Sequence, residues 1–452
     1  MKKLLPVLAT LAFSSFLFAS VPQAKLTRGA ALQQSLAQNT SASTQASASQ
    51  PETKQVTAYT LPPNLYKKAR DLSRIHFRFN LISFVYGLVV LWVVLHWKMA
   101  PQFRDWAQKF STKPFLQSLV FSPLLLLTIS ILTLPADIYA YRTEKRFGLS
   151  VQGWGSWAGD WLKAELISII LGIILIWLLY VVIRRSARRW WFYFWLISLP
   201  IGVFLIFLQP LIIDPMFHKF EPLQQKDPVL TASLEKLVQR AGVEIPPQRM
   251  FWMGAGEKTT ELNAYVAGIG ASKRIVVWDN TIAKMSTPQI VFVVGHEMGH
   301  YVLNHIPKLL AFLAVFLLVL FYLAYRTIGW ALAKWGTGWG ILDLKDWASL
   351  PALLLLFSVF SFIAGPIGSA VSRHFEHQAD QYGLEVTHGL TPDSGQVAAQ
   401  GFQVLGEVDL SDPEPNKVDV FLFYSHPPIP DRVQFALHYH PWDEGKPAEF
   451  VK

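Results

Sequence analysis

Six long apolar stretches, separated by polar segments, occupy most of this chain. Each approaches the ~20 residues that a helix needs to cross a bilayer. The third stretch has no charged residue between Leu166 and Ile183, which argues against core helices of a soluble protein. The pattern predicts six membrane spans, at roughly 80–97, 115–136, 164–183, 190–213, 306–333 and 347–371.

The first 58 residues carry two other patterns. Lys2 and Lys3 precede an apolar stretch from Leu4 to Ala19, which is typical of an export signal. Because the small-residue cleavage site is poor, residues 1–24 are predicted to be either a removed signal peptide or a retained first membrane helix. Residues 25–58 are rich in Ser, Ala, Gln and Thr and are predicted to form a disordered spacer.

Two polar regions remain, one between the fourth and fifth spans and one after the last. The first is predicted to contain a helix at 229–241, short strands at 250–254 and 274–279, and a helix that starts at Pro288 and runs toward the fifth span. The chain then divides into a four-span region at 59–213, a polar region at 214–305, two spans at 306–371 and a second polar region at 372–452.

Composition supports the membrane assignment and limits the chemistry. Hydrophobic residues make up 52% of the chain and charged residues 16%, against about 25% charged in soluble proteins. The net charge of +9 suits contact with anionic lipid. Nucleic acid is not an expected partner, because no basic stripe with interleaved aromatics occurs in a polar region. The absence of cysteine excludes disulfides and thiol catalysis, so any metal must be held by histidines and carboxylates.

Charge also predicts an orientation. An exported N-terminal segment places residue 79 outside the membrane. Counting spans then places two loops inside, 98–114 and the loop that contains Arg184, Arg185, Arg188 and Arg189. Both loops are basic, as the positive-inside rule requires. The count puts the regions 214–305 and 372–452 together on the outer face, where they can form one site.

The run His296-Glu297-Met298-Gly299-His300 has two histidines four residues apart. On a helix they project from one face, so their ring nitrogens can bind one metal ion. Glu297 lies on the neighbouring side, where it can remove a proton from a metal-activated water and later pass it to a leaving amine. The pattern predicts a catalytic site with one Zn²⁺ per chain.

A catalytic zinc also needs a third protein ligand. His305 comes five residues after the motif and is predicted to face away from it, at the membrane interface. Glu376 and Asp380 are a better source because they share one helical face: Glu376 can bind the metal while Asp380 accepts a ring N–H from a ligand histidine. Ligation by His374 or His377 is an open alternative.

Two further segments could complete the site. The prolines after His426 are expected to hold Ser425 to Arg432 as a rigid extended turn, from which His426 could donate to the oxyanion. Arg432 could lock this turn through a carboxylate. Asn263 and Ala264 lie between two strand-like segments, and Asn263 could contact a substrate carbonyl by strand addition. A simple turn explains Asn263 equally well.

Taken together, these motifs resemble those of the type I CAAX prenyl endopeptidases, a multispanning branch of the zincin peptidases. Segments 144–149 and 214–220 resemble the same branch, so the similarity covers about residues 60–440. The resemblance implies a ring of seven helices around a water-filled chamber. It also implies zinc ligands His296, His300 and Glu376, the general base Glu297, a supporting Asp380, transition-state contacts from His426, a structural Arg432 and substrate-strand binding by Asn263.

We therefore expect a predominantly α-helical polytopic membrane protein, with six to seven transmembrane helices around a chamber and a small zincin-like α+β metalloprotease domain. The eukaryotic relatives face the cytosol with the zinc side, whereas charge here predicts the outer face. An export-type N-terminus further suggests a bacterial inner membrane with a periplasmic zinc site.

The leading hypothesis is an integral-membrane zinc endopeptidase that cleaves peptides or partly unfolded proteins. One alternative is a CAAX-type processing protease that acts on prenylated or otherwise lipidated C-terminal tails. A second alternative is a non-catalytic scaffold stabilised by structural zinc. Glu297 argues against the scaffold because it is not needed to hold a metal. The expected partners are substrate proteins and membrane lipid, and the sequence predicts no oligomeric state.

Overall fold

The computed structural model describes residues 55–268 and 272–451. The predicted signal or first span at 1–24 lies outside these residues, as does most of the predicted spacer. The last four spacer residues, 55–58, are described and lie against the C-terminal region. There the Val56 N–H donates to Gln396 Oε1 at 3.0 Å. The chain is therefore ordered several residues before its first described helix.

Six helices in the described residues are long and apolar enough to cross a membrane. They coincide with the six predicted spans, but most extend well beyond them: the longest has 38 residues, which at ~1.5 Å per residue is much longer than a ~30 Å hydrocarbon core. These helices are α1 (Pro63–His96), α3 (Pro114–Phe147), α4 (Trp154–Arg185), α5 (Trp190–Leu208), α11 (His305–Ala331) and α13 (Leu350–Thr387), with a short α2 (Met99–Phe110) after the first.

The first polar region contains a four-stranded sheet. Its strands are β1 (Lys219–Pro222), β2 (Met250–Gly254), β3 (Ala264–Ala267) and β4 (Arg274–Trp278), in the order β1-β2-β4-β3. β2 and β4 are parallel and the other two pairs are antiparallel. β4 is buried on both faces, as expected for a central strand rich in β-branched residues. The predicted strands at 250–254 and 274–279 are confirmed, whereas β1 and β3 were not predicted.

Shorter helices surround the sheet and join it to the spans. They are α6 (Asp214–Phe217), α7 (Leu223–Lys226), α8 (Pro228–Arg240), α9 (Asp279–Lys284), α10 (Thr287–Val302), α12 (Thr337–Trp339), α14 (Ser394–Val408), α15 (Lys417–Phe423) and α16 (Ile429–His438). The main core among the spans includes Phe121 and Phe321. A second core lies between the sheet and these helices and includes Ile275, Phe292 and Phe402. The two polar regions of the sequence thus share one core.

α10 carries the histidine motif, and local chemistry sets both of its ends. Ser286 and Gln289 form a capping box at its first turn, which satisfies backbone N–H groups that have no partner within the helix. The helix ends at Val302, and Asn304 adopts a left-handed φ of 56°. α10 therefore starts one residue before the predicted Pro288 and stops just short of α11, so the two helices have separate axes.

Glycines allow α10 to cross α13 at close range. A Cβ on Gly383 of α13 would lie 3.1 Å from the backbone nitrogen of His296, and one on Gly295 of α10 would lie 3.0 Å from Val386 Cγ1. Helix backbones approach this closely where side chains are absent. The crossing brings the histidine motif against the far end of the sixth span.

We expect Gly383→Val to lower the melting temperature of the purified protein. The added side chain must displace the backbone of α10, which costs about 1–3 kcal/mol in a well-packed core. Gly368→Val in the same helix is the matched control, since a Cβ there meets no atom within 4 Å. Equal thermal unfolding of the two variants in one detergent would contradict the close crossing.

Candidate active site

Three buried side chains from two helices meet at one point. His296 and His300 project from α10, and Glu376 projects from α13. His296 Nε2 lies 3.4 Å from His300 Nε2 and 3.2 Å from Glu376 Oε2. His300 Nε2 lies 3.8 Å from Glu376 Oε1. The helix crossing thus brings the Glu376 carboxylate to two imidazoles that precede it by 76 and 80 residues in the sequence.

The spacing of these atoms fits a zinc ion. Ligands at ~2.0–2.1 Å from zinc in tetrahedral geometry lie about 3.3 Å from one another. The 3.4, 3.2 and 3.8 Å separations here are close to that value. Two histidines and a glutamate are also a known donor set of catalytic zinc sites, which keep a further position open.

Asp380 orients the first histidine. The Nδ1–H of His296 donates to Asp380 Oδ1 at 2.7 Å, so its Nε2 lone pair points toward His300 and Glu376. Burial opposes a charged His296 ring, but the carboxylates of Asp380 and Glu376 outweigh it and raise its pKa to about 9. Burial instead lowers the pKa of His300 well below its usual value. A metal ion therefore competes with a proton at His296.

Arg432 supports Asp380 from the C-terminal region. Its Nε donates to Asp380 Oδ2 at 2.8 Å, and its second N–H group donates to Oδ1. Arg432 is 5% exposed and Asp380 is 1% exposed. Burial alone would lower the pKa of Arg432, but the Asp380 carboxylate raises it. The pair is a buried, bidentate ion pair that ties α16 to α13.

Glu297 lies beside the cluster. Its Oε1 is 3.9 Å from His296 Nε2, and the residue is 8% exposed. The carboxylate is therefore close enough to reach a water held among the cluster atoms, on the side of α10 that the sequence predicted.

His426 reaches the cluster from the loop after α15. Its Nε2 lies 3.1 Å from Glu376 Oε2, and its Nδ1 lies 2.8 Å from Ser425 Oγ. The prediction of one extended turn up to Arg432 is wrong beyond Pro428, because α16 starts at Ile429 with Pro430 in its first turn, where a missing N–H costs nothing. Arg432 thus points inward from a helix.

Asn263 and Ala264 mark the start of an edge strand. Ala264 pairs with Val277 of β4, and among the described residues β3 has no neighbouring strand on its other side. The Asn263 N–H donates to Thr281 Oγ1 at 2.7 Å. The Tyr301 hydroxyl of α10 donates to the Gly268 carbonyl at 2.7 Å, which fixes the far end of β3 against the motif helix.

Four other histidines end up in different places. His374 and His377 are exposed on α13, and His388 stacks on Trp442, so none of these joins the described cluster. His305, however, is fully buried, with its Nδ1 3.0 Å from His300 Nδ1. The prediction that His305 faces away is wrong, because it assumed one continuous helix. Asn304, a residue that favours left-handed backbone, was the available signal of the break.

Comparison with known proteins supports the same interpretation along the chain. Residues 44–219 match the family described as CAAX prenyl protease N-terminal, five membrane helices, and residues 224–440 match peptidase family M48. The uncharacterized metalloprotease YhfN of Bacillus subtilis is 36% identical over 79% of this chain and 82% of its own. CAAX prenyl protease 1 of Saccharomyces cerevisiae is 26% identical over 83% and 86%.

A solved structure shares the fold. The crystal structure of S. mikatae Ste24p superposes with a TM-score of 0.73 at 22% identity, covering 96% of this chain and 99% of that chain. The predicted fold class, a polytopic membrane protein with helices around a chamber and a zincin-like domain, is confirmed. The protein is a membrane metalloendopeptidase, so the scaffold alternative is set aside.

The buried ion pair gives a stability prediction. Arg432→Met leaves the Asp380 carboxylate buried without its cation and should destabilise the protein by about 3–5 kcal/mol. Adding Asp380→Asn removes that charge, so the double variant should recover part of the loss. Chemical unfolding of both single variants and the double variant measures the coupling energy between Arg432 and Asp380. If the losses of unfolding free energy in the two single variants simply added in the double variant, the ion pair would be contradicted.

Proposed function

This chain belongs to the CAAX prenyl endopeptidase branch of peptidase family M48, and we propose that one zinc ion, held by His296, His300 and Glu376, serves its peptidase activity. The observation that carries the proposal is the 3.4 Å approach of the two ring nitrogens beside the Glu297 carboxylate. Asp380 supports the site by fixing the orientation of His296, and Arg432 has the structural role of holding Asp380.

Zinc, when bound, would polarise the scissile carbonyl and lower the pKa of water. Glu297 accepts the proton of the attacking water and passes it to the leaving amine. With the Ser425 hydroxyl donating to His426 Nδ1, His426 carries its proton on Nε2, which faces Glu376 Oε2 at 3.1 Å. This N–H would turn from Glu376 to the oxyanion as negative charge develops there. Glu297 and His426 each lie within 4 Å of a cluster atom, so proton transfer and charge stabilisation would take place beside the same three residues.

For the substrate, we propose an extended peptide segment that adds to the outer edge of β3. Three features support this proposal. In the part of the chain that the structure describes, β3 pairs with a strand on one side only. Tyr301 of α10 bonds to Gly268 just after β3, and Asn263 immediately precedes the strand. Backbone hydrogen bonds at an edge strand are independent of side-chain identity. Such a site suits peptides and partly unfolded membrane or envelope proteins.

For localisation, we propose a bacterial inner membrane with the metal site on the periplasmic side. Six spans return residues 55–62 and the region after α13 to one face, and Val56 donates directly to Gln396 of α14. The opposite face then carries Lys109 of α2, Arg184 and Arg185 at the end of α4, and Arg188 and Arg189 before α5, consistent with the positive-inside rule.

A second candidate function is cleavage of lipidated C-terminal tails. The similarity to CAAX prenyl protease 1 of Saccharomyces cerevisiae over most of both chains favours it. A farnesylated peptide and its unmodified counterpart distinguish the two candidates: a strong preference for the farnesylated form would favour tail processing, whereas equal turnover would favour general peptide cleavage.

Replacing the proposed general base tests the mechanism. Glu297→Gln should retain one zinc per chain, because this residue is not a ligand, while kcat/KM for a peptide substrate falls roughly 10²–10⁴-fold. Zinc content and peptide hydrolysis are measured on the same preparation. Glu257→Gln is the control, since this glutamate is exposed. Normal turnover by Glu297→Gln would overturn the assignment.

The cysteine-free sequence makes sidedness directly measurable. Glu257 lies in the catalytic region and Lys109 lies near the end of α2, and both residues are exposed. Each is replaced by cysteine in a separate variant, Glu257→Cys or Lys109→Cys. In intact spheroplasts we expect a membrane-impermeant maleimide to label Glu257→Cys, and to label Lys109→Cys only after the membrane is permeabilised. The opposite pattern would place the metal site in the cytoplasm.

A further inference from the structure

A line of hydrogen bonds extends from the second histidine of the motif away from the cluster. His300 Nδ1 lies 3.0 Å from His305 Nδ1, and His305 Nε2 lies 3.0 Å from Gln378 Oε1. His305 is fully buried, and its ring stacks on Phe375 at 4.6 Å with an interplanar angle of 16°. Packing and hydrogen bonds therefore hold this ring in one orientation.

The chemistry of these groups sets the direction of each hydrogen bond. The oxygen of the Gln378 amide can only accept, so His305 donates to it from Nε2. A neutral His305 then has its lone pair on Nδ1, and this nitrogen accepts the Nδ1–H of His300. The His300 ring is left with its lone pair on Nε2, the atom that faces His296 and Glu376 across 3.4 and 3.8 Å.

We infer that His305 and Gln378 form a positioning relay, which holds His300 in the tautomer and orientation required of a metal ligand. This inference rests on the proposed metal site. Partners of this kind on ligand histidines usually contribute 10- to 100-fold to metal affinity. Neither residue contacts the reacting atoms, so both are positioning residues that act through His300.

The relay also connects the metal site to the membrane spans. His305 is the first residue of α11, and Gln378 lies on the extension of α13 beyond its apolar stretch. His300 is therefore held by groups from the fifth and sixth spans, whereas His296 is held by the carboxylate of Asp380. His296 thus has a charged partner and His300 a neutral one. The His305–Gln378 relay therefore adds no negative charge to the site.

Zinc affinity, rather than peptidase activity, tests the relay. Gln378→Leu removes the terminal acceptor, and Gln378→Glu restores an acceptor of the same size. We expect the zinc dissociation constant, measured by chelator competition on the full-length detergent-solubilised protein, to rise 10- to 100-fold in Gln378→Leu and to stay within about threefold of wild type in Gln378→Glu. Co²⁺ absorption spectra should change only in the leucine variant.

Two further variants complete the experiment. His305→Phe keeps the ring stacking on Phe375 without the hydrogen bonds and should weaken zinc binding as Gln378→Leu does. His374→Gln, an exposed histidine on α13, is the control with unchanged affinity. If His305→Phe fails to fold, as judged by melting of the metal-free protein, the zinc affinities of Gln378→Leu and Gln378→Glu are sufficient to test the relay.

The outcomes separate the relay from the proposed function. Wild-type affinity in Gln378→Leu, or equal weakening in Gln378→Leu and Gln378→Glu, would overturn the relay. Failure of the wild-type protein to bind zinc would instead overturn the metal site on which the relay rests. Zinc binding without peptidase activity would contradict the proposed mechanism, and the relay would still be supported by weaker zinc binding in Gln378→Leu than in Gln378→Glu.

Discussion

The rest of the site depends on the two contacts that the buried Asp380 carboxylate makes. It accepts the Nδ1–H of His296 on one side and the guanidinium of Arg432 on the other. A buried carboxylate with neither partner would be costly, and α10, α13 and α16 must all come together for Asp380 to contact both partners. One side chain thus joins the motif helix, the last span and the C-terminal region.

The length of α13 makes this arrangement possible. The helix continues without interruption from Leu350 to Thr387, so the same rigid element crosses the bilayer and presents Glu376 and Asp380 beyond it. Gly383 then removes the side chain that would keep α10 at a distance. The cluster is therefore carried by two helices, α10 with His296 and His300 and the membrane helix α13 with Glu376, rather than by flexible loops, which suits chemistry that requires sub-ångström placement.

The two histidines of the motif have different environments in spite of their identical chemistry. His296 contacts a carboxylate that is itself neutralised by Arg432, and His300 contacts a second histidine that ends on an amide. Both arrangements leave Nε2 facing the cluster. His426 reaches the same cluster from the loop after α15, and Tyr301 of the motif helix bonds to Gly268, just after the end of β3.

The sequence alone determined the elements whose signals are local. Apolar runs of about 20 residues specify spans because the bilayer fixes that length, and the spacing of His296 and His300 specifies a shared helix face. Glu376 and Asp380 were identifiable for the same reason. Short strands such as β1 carry too little pattern to be recognised. The helix that begins at Ile429 was also missed, because the prolines around its start were interpreted as an extended turn.

Only the tertiary structure decided how these elements meet. The break at Asn304 turns His305 back toward His300, and periodicity cannot reveal this because it assumes one straight helix. The partner of Arg432 was open to any carboxylate until α16 docked on α13. Contacts such as these join residues from separate helices, and their geometry is set by packing and burial between elements that lie far apart in the sequence.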